Sequence, residues 1–271
     1  YRDLGLGDDT AAFFDDLTRQ QGQGGRPILY PGLYAHQAEA LRSTLRDGKD
    51  IIVATGTGSG KTECFLLPML GMLHEEARGR PERFQQRGVR CLILYPMNAL
   101  VNDQMARLRL LLGDEAVAQR FRDLPAGRHA TFGMYTGRTP YPGPRSAQKD
   151  EDRVRPILDY YLGLSPQMEQ RLRQLGRYPA KDLRAFLAAG RATFTTIRSG
   201  KRQGQTQRRH NWHERLLTGP RDRELLTRHE IIRAPDGSEG AAPDVLVTNY
   251  SMLEYMLMRP FERPLFEETR R

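Results

Sequence analysis

Residues 54–62, Ala-Thr-Gly-Thr-Gly-Ser-Gly-Lys-Thr, constrain this chain more than any other segment. They follow the apolar run Ile51-Ile52-Val53 and precede a helical pattern that runs on to Leu73. Glycines 56, 58 and 60 let the backbone curl until its N–H groups converge, and the helix N-terminus adds its positive end. A strand, such a loop and a helix in that order make a phosphate cradle. The reading expects Thr57, Gly58, Ser59, Gly60, Lys61 and Thr62 to hold a nucleotide. Lys61 would reach its β- and γ-phosphates, and the Thr62 hydroxyl would ligate Mg²⁺. The strict pattern G-x4-G-K-[ST] has glycine where this chain has Thr55.

Around this loop the hydropathy alternates. Residues 50–54, 90–95, 131–135 and 244–248 read as near-continuous apolar strands. Residues 34–46, 60–73, 98–112, 151–162, 166–175, 180–189 and 250–258 read as helices. Buried strands separated by helices predict an α/β fold with a parallel sheet flanked by helices. Residues 1–29 read as an extension, with an amphipathic patch at 11–17 and a Gln/Gly joint at 20–25. Residues 30–137 and 242–271 carry the α/β rhythm, and 138–241 interrupt it as a mostly helical insertion. Within that insertion, 198–209 (RSGKRQGQTQRR) holds five basic residues and no acid. It reads as a mobile loop.

Charge singles out the same insertion. The chain carries a formal +9, and residues 138–241 hold 21 Lys and Arg against 12 Asp and Glu. The remainder balances, so the whole excess lies there. A basic face of this kind points to a polyanionic partner, most often nucleic acid; a solvated Arg-rich surface would give the same count. Two cysteines, Cys64 and Cys91, exclude a disulfide framework and a four-cysteine zinc site, and their apolar settings fit reduced core residues. No apolar stretch reaches the length of a membrane span, and a cytoplasmic location is expected. His210 and His213 without a nearby cysteine make a poor zinc pair. Trp212 and Tyr141 beside arginines would either stack on bases or anchor the insertion to the core.

Upstream of the loop, Gln37 follows the aromatics Tyr30 and Tyr34. A glutamine carboxamide both accepts and donates, so it can select adenine over guanine. Together these residues resemble the superfamily 2 helicases of the DEAD/DExH-box class. Gln37 is similar to their adenine-reading motif and residues 54–62 to their phosphate loop. Residues 95–104 (YPMNALVNDQ), 135–138 (YTGR) and 246–253 (LVTNYSML) resemble their strand-gripping segments. The wording of YPMNALVNDQ and TNYSMLEYMLMRP is similar to large bacterial antiphage-defence helicases, the Druantia type favoured, with the DISARM type or a related repair helicase as alternatives.

The resemblance implies a RecA-like first motor domain that uses ATP and Mg²⁺. It implies backbone contacts to nucleic acid, DNA favoured over RNA, from Pro96, Asn98, Gln104, Thr136, Gly137, Arg138, Thr248, Asn249 and Ser251. It further implies a second RecA-like domain in the same parent chain, and other defence-system subunits as partners. The family's Asp-Glu motif is not found. Asp114-Glu115-Ala116-Val117 resembles it on the surface but reads as a helix start with acids near the positive dipole end. Residues 248–251 read as a helix cap as well as a contact. The expected activity is therefore an ATP-dependent DNA helicase or translocase in the parent protein, with the 271-residue chain inactive by itself. The alternative is an ATP- and nucleic-acid-binding clamp or sensor.

Overall fold

A computed structural model describes residues 1–23, 25–56, 58–140, 146–211, 221–232 and 242–269. The chain forms two compact units, Tyr1–Gln86 with Leu110–Ala130, and Arg87–Arg109 with Thr131–Arg271.

The second unit holds a four-stranded parallel sheet. Its strands are β1 (Cys91–Tyr95), β2 (Phe132–Tyr135), β5 (Glu224–Leu225) and β6 (Val245–Asn249), in the order β1-β6-β2-β5. A separate antiparallel hairpin joins β3 (Arg191–Thr196) to β4 (Thr206–Asn211). β6 is central, with Leu92 and Gly133 on either side of Leu246, and its first four residues are buried. This is why its sequence shows no polar alternation. Gly133 keeps β2 close to its neighbours, because a Cβ there would lie 3.1 Å from the Ile231 side chain and 3.3 Å from the Leu225 carbonyl oxygen, which would have to give. Tyr135, Leu225, Ile231, Leu246, Met252 and Leu265 form one apolar cluster over the sheet. At the strands' N-terminal ends the buried Asp244 accepts from Arg90 Nη1 (2.8 Å) and from the Thr131 backbone N–H (2.8 Å). A buried carboxylate is tolerated because it is paired and hydrogen-bonded in this way.

The first unit is helical. The helix Asp8–Arg19 packs Phe13 and Phe14 inward, and Phe13 meets His74 and Phe121. The helix Glu63–Gly79 buries Cys64, Leu66, Leu67, Leu70, Leu73 and Ala77. Both cysteines of the chain are free thiols, and burial pushes that of Cys91 up to about 11.

Three expectations need correction. Residues 50–54 form no strand: they belong to no ladder, and Ile52 is 98% exposed. A strand needs partners for its N–H and C=O groups and cover for its faces, and among the described residues this run has no ladder partner. Residues 198–209 are not a loop throughout. They comprise a turn and most of β4, closed by Gly200 and Gly204 at positive φ (85° and 84°). The insertion, mostly helical as expected, also supplies this hairpin and the sheet strand β5. Residues 34–46 split into the helix Ala35–Leu41 and a wider π turn, Arg42–Arg46. The helix expected over 60–73 runs from Glu63 to Gly79; the remaining predicted elements stand within a few residues, and Tyr250–Met258 matches at both ends.

Candidate nucleotide loop and nucleic-acid surface

The loop in the first unit is held from behind by the helix Ala35–Leu41. Gln37 is buried, and its carboxamide works at both ends. Oε1 accepts from the Tyr34 backbone N–H (3.0 Å), closing a capping box, and Nε2 donates to the Gly60 carbonyl (3.0 Å). Beside it the His36 ring Nε2 lies 2.9 Å from the Ser59 carbonyl oxygen. Gly58 and Gly60 both have positive φ, 77° and 78°. Any side chain at 60 would also strike Gln37, since a Cβ there falls 2.5 Å from its Nε2. The glycine and the glutamine therefore define one another, although they stand far apart in sequence.

Within the loop, Lys61 Nζ donates to the carbonyls of Thr55 and Gly56, both at 2.7 Å, and the Thr55 and Ser59 hydroxyls pair at 2.7 Å. Thr62 precedes the helix Glu63–Gly79 without making a side-chain cap. Tyr34 and Tyr30 are exposed, and Tyr34 stacks on His36 with centroids 5.8 Å apart. Thr57 lies outside the described residues.

These residues fit a nucleotide's phosphates. A Cβ at Gly56 or Gly58 would meet nothing within 4 Å, so the loop's surface there is open. The Lys61 ammonium rests on neutral carbonyls that phosphate oxygens can outcompete. Lys61 and the backbone of residues 58–61 would hold the phosphates, and Thr62 would ligate Mg²⁺. Bound ATP supplies a transferable γ-phosphoryl group whose charge Mg²⁺ offsets. Asp114 sits elsewhere in this unit as a helix cap, accepting from the Ala116 and Gln23 backbone N–H groups at 2.9 and 2.8 Å. Its oxygens serve the backbone, in line with its reading as a helix start.

In the second unit, the C-terminal ends of β1, β6 and β2 lie side by side and carry most of the remaining predicted residues. Open α/β sheets place ligands at such ends. Asn249 caps the helix Tyr250–Met258 by accepting from Met252 N–H (2.8 Å), and its Nδ2 donates to Asn98 Oδ1 (2.7 Å). Two helix starts are thus joined through one amide pair. Pro96, Gly137, Arg138 and Ser251 are exposed, and Asn98 and Asn249 are half-buried.

Three predicted contacts sit inside. Gln104 is 2% exposed and its Oε1 accepts from the Tyr95 hydroxyl at 3.3 Å. The Thr248 hydroxyl donates to the Tyr135 carbonyl at 2.5 Å, tying β6 to β2. Thr136 is buried, and its Oγ1 accepts from the Arg138 N–H at 3.2 Å, shaping the turn that exposes Gly137 and Arg138. The side chains of these three shape the surface and are not presented on it.

Arg228 went unnoticed in the sequence. Its Nη2 donates to the Thr136 carbonyl (2.8 Å), its backbone N–H donates to the Pro140 carbonyl (3.2 Å), and its guanidinium lies 4.9 Å from the centre of the Tyr135 ring. It fixes the same turn from a distant part of the chain, and no local pattern marks it. The Tyr135 hydroxyl donates to Glu262 Oε1 at 2.9 Å, and burial, followed by the nearby Glu262 charge, raises its pKa so that it stays protonated. Also buried is Lys181, 2.7 Å from Glu230 and 3.4 Å from Asp222. Burial alone would pull its ammonium down, but the two carboxylates outweigh that and the net shift is upward.

Residues 34–126 match the DEAD/DEAH box helicase family. The chain is 48% identical over 248 residues to the Druantia protein DruE of Escherichia coli (strain UMEA 4076-1), covering 89% of this chain and 13% of that protein. Over shorter stretches it is 36% identical to the ATP-dependent RNA helicase ROK1 of Scheffersomyces stipitis, with 28% of this chain and 13% of the relative covered. It is 31% identical to the uncharacterized ATP-dependent helicase YprA of Bacillus subtilis, with 31% and 10% covered. The chain thus spans about an eighth or less of the length of these relatives. Residues 34–126 are similar to a DEAD/DEAH box helicase segment, the parallel sheet flanked by helices is consistent with a RecA-like α/β fold, and the Druantia-type resemblance is supported. Among the described residues no helix is long and apolar enough to cross a membrane.

Proposed function

We propose that this chain is the nucleotide-gripping part of an ATP-dependent DNA helicase or translocase acting in antiphage defence. The observation that supports this reading most is the Gln37 amide, locked between the Tyr34 N–H and the Gly60 carbonyl. It joins a group able to read adenine to the loop that holds phosphate. A second lone pair on Oε1 and a second N–H on Nε2 remain for a base. The turns at residues 96–98, 137–138 and 249–251, with Pro96, Gly137, Arg138 and Ser251 exposed, supply backbone N–H groups and polar side chains suited to a phosphate chain, which positions a strand without reading its sequence. DNA is this reading's choice of strand over RNA, and defence as the setting rests on the Druantia-type resemblance. In this reading a second RecA-like domain of the parent protein completes the ATP site.

The test is Lys61→Ala. Losing a charge-assisted contact costs about 1.5–3 kcal/mol, so affinity for a fluorescent ATP analogue falls roughly 10- to 100-fold. DNA-stimulated phosphate release by the parent protein falls to background. Undiminished ATPase activity in that variant would remove the motor reading. Strand binding in a wild-type parent that shows no ATPase would favour a clamp.

A further inference from the structure

The β3–β4 hairpin is an element that this function leaves unused. Residues 191–211 contain six Arg or Lys and no Asp or Glu. All six cross-strand pairs form, from Arg191↔Asn211 to Thr196↔Thr206. One end is anchored: His210 is buried, and its backbone N–H donates to Glu151 Oε2 at 3.1 Å. Towards the turn, Phe194, Thr195, Thr196, Thr206 and Arg208 are all exposed. Neighbouring residues of a strand point to opposite faces, so the hairpin is solvated on both sides and projects from its anchor. A two-stranded ribbon gains little stability from such a position.

Phe194 is 70% exposed on this ribbon and stands directly opposite Arg208. Directly opposed residues share a face and stand in side-chain contact range. Arg198, Lys201 and Arg202 line the adjoining turn, all exposed. An open aromatic face beside cations, on a ribbon whose own sequence holds no acid, is the composition that binds single strands. Bases stack on the ring while the cations follow the phosphates.

We propose that this hairpin is a binding site for single-stranded nucleic acid. Phe194 stacks on an unpaired base, and Arg208, Arg198, Lys201 and Arg202 neutralise the flanking phosphates. The proposal rests on the nucleic-acid reading above, and its test separates the two. The measurement is fluorescence anisotropy of the 271-residue chain with an oligo-dT strand of about 15 nucleotides, and with a blunt duplex of equal length, over a range of salt. Phe194→Ala weakens single-strand binding about tenfold and leaves duplex binding unchanged, because duplex bases are closed to the ring. Phe194→Tyr keeps wild-type affinity. Replacing Arg198, Lys201 and Arg202 together by Ala weakens both probes and reduces the salt slope by about 2–3. Unchanged single-strand affinity in Phe194→Ala overturns the proposal, as does an equal loss on the duplex. If the wild-type chain binds neither probe, the nucleic-acid reading falls with it; if it binds both and only the Phe194 effect is missing, that reading stands alone.

Discussion

Two runs of this chain are nearly the same in sequence and opposite in fate. Residues 244–248 read Asp-Val-Leu-Val-Thr, and residues 50–54 read Asp-Ile-Ile-Val-Ala. The first forms the core of the sheet, with β1 on one side, β2 on the other, and Val245 and Val247 fully buried. The second joins no ladder, with Ile52 almost wholly in water. The difference lies in neighbours. β-branched residues fit a pleated surface only when a surface exists to receive them. An apolar run is an offer of a strand, and the pairing is made elsewhere in the chain.

The contrast breaks most sharply under a charge. Val247→Asp places an unpaired carboxylate inside the sheet, and the expected loss is more than about 4 kcal/mol, enough to prevent folding of the second unit. Ile52→Asp lies at an exposed position and changes stability by less than about 0.5 kcal/mol. Urea denaturation followed by circular dichroism reads both. An Ile52→Asp protein as unstable as Val247→Asp would show that residues 50–54 are buried in solution, and the comparison would collapse.

The same contrast marks what was legible beforehand. The phosphate loop could be read because its glycines, Lys61 and Thr62 are contiguous, and each has a mechanical reason. The strands β1, β2 and β6 announced themselves by continuous apolar residues, and the cap at Asn249 by its place before an apolar helix. Gln37 was visible as a residue, but its bond to Gly60 was not, since contacts across many residues leave no periodic trace. For the same reason Arg228 escaped notice. The hairpin was hidden by its composition: stripped of apolar residues, β4 looks like a solvated loop, and only the glycine-closed turn and pairing with β3 make it a strand. Gln104, Thr136 and Thr248 were expected as contacts from the family resemblance, whereas their buried side chains bond the Tyr95 hydroxyl, the Arg138 N–H and the Tyr135 carbonyl.

A smaller effect sharpens the comparison within the first unit. The run before the loop is exposed, but the helix after it is packed, with His74 stacked on Phe13 at 4.2 Å. Burial, aided by the Arg78 charge and opposed by Asp9, lowers the His74 pKa from 6.5 to about 4. As pH falls below 6.5 the unfolded chain takes up this proton before the folded one does. The stability from the neutral ring is therefore complete above pH 6.5 and is lost as pH falls towards 4. At about 1.4 kcal/mol per pKa unit the loss is at most about 3.5 kcal/mol. His74→Phe keeps an aromatic partner for Phe13 and removes the titration, so its melting temperature declines less between pH 7 and 4.5 than that of the wild type. Parallel declines would show that His74 is open to solvent, and that this helix is no better packed than the run before it.

The smallest expected effect concerns what joins β6 to its neighbour. The Thr248 hydroxyl donates to the Tyr135 carbonyl from a position with no solvent exposure. Thr248→Val keeps the shape and removes the donor, which costs about 1 kcal/mol. A shift of the urea midpoint at unchanged slope would measure it. Because the hydroxyl faces the sheet and not the solvent, affinity for an oligonucleotide stays at the wild-type value. Ser251→Ala, at an exposed helix start beside the same strand end, gives the opposite pattern: affinity falls while stability holds. If Thr248→Val lowers affinity at unchanged stability, its hydroxyl belongs to the nucleic-acid surface, and the strand ends open further than this geometry allows. A loss of stability alone assigns Thr248 to the pairing that makes residues 244–248 a strand, the pairing that residues 50–54 lack.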